Sequence, residues 1–175
     1  MLHTINKRGG GKEMKKLVVG LLGLGLVFGF NSLTMAGNTA QQTVTYQVDA
    51  INEISVSDNP DNLVINSATA GSQPNEDTDN TTTWAITTNQ TSRKMTGSIN
   101  SNMPANVTLE INLIAPTGGV SEGDVSLSSI DADLVTSIET VAESGLTITY
   151  TLSATVAAGV VPQAQKTVTI TLTAE

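Results

Sequence analysis

LTITYTLSATVAAGVVPQAQKTVTITLTAE, residues 146–175, decides the fold. In its first half Leu146, Ile148, Tyr150 and Leu152 alternate with Thr147, Thr149, Thr151 and Ser153. In its second half Val168, Ile170 and Leu172 alternate with Thr167, Thr169, Thr171 and Thr173. Successive side chains of a strand point to opposite faces, so each run has one apolar and one hydroxyl face. The small and turn-forming residues from Ala157 to Pro162 separate them, which predicts two antiparallel strands joined by a loop.

Upstream, the same alternation recurs at short intervals. Thr43–Ala50 predicts a first strand with Val44, Tyr46 and Val48 inward. Ile54–Val56 is a short second run, stopped by the turn-forming Asp58-Asn59-Pro60-Asp61, and Leu63–Ile65 resumes as a strand. Residues 67–82 hold no large apolar side chain and read as a surface loop. Trp84–Thr88 and Lys94–Asn100 read as a hairpin, with Met95, Gly97 and Ile99 on one face of its second strand. Val107–Leu113 is another clear alternation, Asp124–Leu127 a short strand, and Leu134–Val141 fits either a strand or a helical turn. About eight or nine strands with almost no helical periodicity predict an all-β protein, an immunoglobulin-like antiparallel β-sandwich. Its core is expected from Tyr46, Trp84 and Tyr150 together with Val, Ile and Leu.

The amino-terminal region reads differently. Lys15-Lys16 precede the apolar run Leu17–Phe30, and Thr34-Met35-Ala36 follows with small residues at the spacing that a signal peptidase requires. A membrane span needs about 20 apolar residues. This shorter, glycine-rich run therefore predicts a signal peptide, residues 1–36, cut after Ala36. Met14-Lys15-Lys16 is a natural bacterial start, and Gly9–Glu13 is what an in-frame ribosome-binding site would encode, so initiation is expected at Met14. Residues 37–175 then form one domain, exported to the periplasm, the cell surface or beyond, with no membrane span after cleavage.

Five of the eight basic residues lie in that leader, leaving Arg93, Lys94 and Lys166, whereas only Glu13 of the sixteen acids does. So acidic a chain repels phosphate backbones, which argues against nucleic acid and anionic membranes as partners. The chain has no cysteine, and its single histidine, His3, lies in the leader. Thiolate and imidazole chemistry, catalytic or metal-binding, is thereby absent from residues 37–175. A serine–lysine pair would have to use Lys94 or Lys166, and neither has an evident partner in the sequence. The expectation is a non-enzyme with no catalytic residues and no cofactor. Asn75–Asn80 (NEDTDN) places oxygen ligands at alternate positions, as a hard cation needs. Yet the glycine and glutamate of a calcium loop counted from Asp77 are replaced by Thr82 and Thr88, so a solvated acidic loop is expected and no metal site.

The closing stretch, with its strand-borne Tyr150, its Ala158-Gly159 connection and its final alternating strand, resembles the end of chaperone–usher fimbrial subunits and of spore-coat-protein-U-like secreted proteins. The resemblance implies an exported immunoglobulin-like sandwich that polymerises by giving an amino-terminal strand to a neighbour. Val44–Ala50 has the alternation that such a strand needs, although it is expected here to pair within its own sandwich. The functional expectation is a structural protein, secreted or surface-exposed, that associates with itself or with another envelope protein. The competing one is an adhesion module reading a carbohydrate or surface protein through loops 67–82 and 115–124.

Overall fold

The computed structural model describes residues 38–175, so the expected leader and the expected start at Met14 lie outside the described residues. The chain divides into two units, Met1–Thr45 and Tyr46–Glu175. Of the first, residues 38–45 are described: all are exposed and none belongs to a strand.

The second unit is a β-sandwich of nine strands: β1 Asn52–Val56, β2 Asp77–Thr88, β3 Arg93–Ile99, β4 Val107–Leu113, β5 Val120–Ser121, β6 Val125–Ser126, β7 Ala132–Ile138, β8 Val141–Ala154 and β9 Val168–Ala174. A five-stranded sheet in the order β1-β2-β8-β4-β6 faces a four-stranded sheet in the order β5-β7-β3-β9. All neighbours are antiparallel.

The alternation builds the core as expected around Trp84 and Tyr150, whereas Tyr46, expected with them, is exposed. Ile148 and Tyr150 of β8, Leu109, Ile111 and Leu113 of β4, and Trp84 and Ile86 of β2 point inward from the first sheet. Met95, Ile99, Leu134, Val135 and Ile138 meet them from the second. The Trp84 indole N–H donates to the Ile114 carbonyl (3.2 Å), so its one polar atom is satisfied where the ring is buried.

Two irregularities tune β2 and β8. Trp84 opposes Leu146 while Ile86 opposes Glu143, a bulge on β8 that Gly145 accommodates at φ 73°. Asp79 opposes Tyr150 while Thr82 opposes Ile148, so the extra residue there lies on β2. Within that bulge the Asp79 carboxylate accepts the Thr81 N–H (3.2 Å) and hydroxyl (2.9 Å), and the shift in phase turns both Asp79 and Thr82 inward.

Gly97 is a packing glycine. A β-carbon built on it would stand 2.6 Å from Leu134 Cδ1, inside a side chain that is fully buried. Gly97→Ala is expected to destabilise the fold by about 1–3 kcal/mol through overpacking, read as a lowered thermal midpoint with the far-ultraviolet spectrum unchanged.

Five expectations need correction. Trp84–Thr88 and Lys94–Asn100, read as a hairpin, belong to β2 and β3, which lie in different sheets and do not pair. Strands β8 and β9 are not a hairpin: they lie in different sheets, and residues 155–167, which open with a 3-10 turn at Val156–Ala158, cross between them. Alternation marks a half-buried strand without saying which strand is its partner. Thr43–Ala50 forms no strand; the first is Asn52–Val56. Leu63–Ile65 is irregular, though Leu63 packs against the core. Residues 77–82, expected in a loop, begin β2, because β-branched threonines suit a sheet without large apolar neighbours. The ambiguous Leu134–Val141 is strand on both sides of a break, in β7 and the start of β8.

Candidate functional site

The order β1-β2-β8-β4 is that of strands A, B, E and D of an immunoglobulin sandwich, and β3 beside β9 is that of C and F. In that architecture a strand G lies on the outer side of F. Among the described residues β9 is the sheet edge, and no strand takes the place of G.

The backbone of β9 is ready for a partner. Asn100 N–H donates to the Thr167 carbonyl (3.1 Å) and Glu175 N–H to Ser92 (2.9 Å). Odd-numbered residues of β9 therefore turn their peptide groups toward β3. Antiparallel pairing alternates, so Val168, Ile170 and Leu172 direct theirs to the free edge. Their side chains point inward yet are only half-buried, because among the described residues no further strand covers them.

Along this edge runs a groove of about 1780 Å³. Its walls are β1 with the following loop on one side, and β9 with residues 156–167 on the other. Its floor is core: Leu109, Ile148, Tyr150, Leu152 and Thr82. Strand β1 covers β2 from Thr88 to Trp84 and Ser57 bonds Thr83, which leaves Asp77–Thr82 without a strand partner on that side among the described residues. A long apolar edge without proline or inward charge is a template for strand addition.

Burial pushes the Tyr150 phenol above its ordinary range. The unfolded chain releases this proton at a lower pH than the folded one. The stability is thus fully present below the ordinary phenol value and falls as pH rises from there through the folded value. Urea midpoints taken at neutral and strongly alkaline pH are expected to show that fall, and Tyr150→Phe to reduce it.

The base of the amino-terminal segment is held in place. Asn89 Nδ2 donates to the Asp49 carbonyl (2.8 Å), Asn89 Oδ1 accepts the Ile51 N–H (2.8 Å), and Asn89 N–H donates to the Ile51 carbonyl (3.3 Å). Ahead of this clamp Val44, Tyr46 and Val48 are 77%, 89% and 78% exposed. Three large apolar side chains in alternation thus stand in water, an arrangement that marks an interaction segment.

The other expected candidates are structural. Asp77 accepts the backbone N–H groups of Thr78 (3.1 Å) and Val64 (2.6 Å), and Asp79 is engaged by Thr81. Their oxygens are taken up by the start of β2 and by the Val64 N–H of the preceding segment. Lys94 forms an ion pair with Asp133 (2.8 Å), whose hydrogen bond raises the ammonium's pKa. Lys166 has partners that the sequence does not reveal, donating to Ser101 Oγ (2.8 Å) and the Asn102 carbonyl (2.9 Å). An ammonium donating both ways on an exposed loop is a brace rather than a base. Of the expected recognition loops, 67–82 ends in the opening residues of β2, from Asp77, and 115–124 contains β5.

The open groove and its Thr82 escaped sequence reasoning. The only available signal was that β9 is as apolar as a central strand. Compared with known proteins, the chain matches no family model and no curated sequence at a significant level.

Proposed function

We propose that this chain is a non-enzymatic structural subunit, exported to the cell envelope or beyond, that assembles by inserting residues 43–50 of one copy into the groove of the next. The observation that carries this reading is that, among the described residues, no strand lies on the outer side of β9 while an exposed segment of alternating apolar residues stands outside any sheet. Main-chain bonds to Val168, Ile170 and Leu172 supply affinity, and alternate side chains filling the groove supply specificity. Such an interface is heterologous: each copy gives at one end and receives at the other, so it propagates into an open chain.

Deletion of residues 43–50 tests the reading. Light scattering on the exported protein is expected to show multimers for the intact chain and a folded monomer for the deletion. A monomeric intact chain would sink it.

A further inference from the structure

Thr82 stands at 4% exposure with its hydroxyl bonded to nothing. A buried hydroxyl without a partner is costly, and native chains almost always supply one. Among the described residues the other such side-chain atom is Arg93 Nε, and Arg93 does not line the groove. Thr82 does. Its place is interior to the groove, whose lining runs from Ile54, opposite Ile86, past Leu152, opposite Asp77, to Ala154 and Thr155, so that Thr82 lies well inside both ends.

The exposed segment carries a matching feature. Val44, Tyr46 and Val48 share one face, and Tyr46 is the middle member. A segment centred on the groove brings its middle residue to the level of Thr82 whichever way it runs along β9. A strand added to β9 lies in the second sheet, and facing sheets are ~10 Å apart. Tyrosine reaches across most of such a gap, and valine does not. A phenol buried in this way needs a hydrogen-bond partner, whereas Val44 and Val48 need none. The polar Thr43, Thr45 and Gln47 fall on the opposite face.

We propose that Tyr46 of one copy seats its phenol on the Thr82 hydroxyl of a second copy and thereby sets the register in which the segment enters the groove. This rests on the strand-donation reading and adds the residue pair that specifies it. A slip of one residue would turn the apolar set outward. A slip of two would strand the phenol among aliphatic side chains and leave Thr82 unpaired.

The test uses the full exported chain and sedimentation equilibrium. Tyr46→Phe and Thr82→Val each remove one hydroxyl and are each expected to weaken association by roughly 5–30-fold, the equivalent of one lost buried hydrogen bond. The double variant is expected to be no weaker than either single one, since the two hydroxyls act as a pair. Thr82→Ser keeps the hydroxyl and is expected to match the parent. Thr82→Val should also raise the thermal midpoint of the monomer while lowering association, opposite movements that a merely structural role would not produce. Tyr46 is exposed, so Tyr46→Phe decides the matter even where a Thr82 variant folds poorly. Parent-like association of Tyr46→Phe, or additive losses in the double variant, overturns the pairing. If deletion of 43–50 abolishes association while Tyr46→Phe and Thr82→Val do not weaken it, only the pairing fails. If the deletion changes nothing, strand donation fails with it.

Discussion

A chain carrying Ile170→Lys is expected to fold, to remain monomeric, and to form a discrete one-to-one complex when mixed with a chain lacking residues 43–50. Ile170 lies at the centre of β9, inward but half-buried, with its peptide groups on the free edge. A lysine there can run its stem along the apolar wall and keep its ammonium in water, so the monomer tolerates it. An entering strand would have to bury that charge without a partner, at a cost of several kcal/mol. Inward charge on an edge strand is also how natural sheets resist pairing.

The mixture makes the prediction discriminating. The lysine variant has a usable segment and a blocked groove, and the deletion has an open groove and no segment. Alone, neither can propagate. Together they can form one junction and no more, because the product has no free segment beside an open groove. Light scattering should therefore report twice the monomer mass in the mixture, without larger species. Association through a two-fold patch would not be restored by mixing these two defects, and multimers of the lysine variant by itself would show that β9 is not the receiving edge.

Much of this sandwich is legible residue by residue. Val107–Leu113 reads as a strand and is β4, and Trp84, Ile148 and Tyr150 are core as their phase predicts. Alternation reports that one face will be buried, not what will bury it. Val44, Tyr46 and Val48 have the pattern of an internal strand and stand in water. The groove was not legible because it follows from β8 and β9 lying in different sheets, a fact of topology that no local pattern carries. Thr82 was hidden for a smaller reason. It is in phase with Trp84 and Ile86, but residues 67–82 hold no large apolar side chain and so read as a loop up to Thr82 itself.

Trp84→Ala is expected to cost about 3–5 kcal/mol, among the largest effects available to a single core truncation. The indole is 2% exposed, sits in β2 between Val56 of β1 and Leu146 of β8, and anchors the Ile114 carbonyl beyond the end of β4. Domains of this size are stable by only about 5–15 kcal/mol, and a chain without cysteine has no disulfide to limit the loss. The thermal midpoint should drop by roughly 10–20 °C, and by much less in Trp84→Phe, which keeps most of the apolar volume. The same variant then reports on the groove. A ligand that binds only the folded chain stabilises it by about 2.7 kcal/mol at a hundredfold excess over its dissociation constant. A synthetic peptide of residues 41–51 should therefore recover most of the lost midpoint in Trp84→Ala and should recover none of it when Ile170→Lys is also present. Recovery that persists with the lysine in place would put the peptide somewhere other than beside β9.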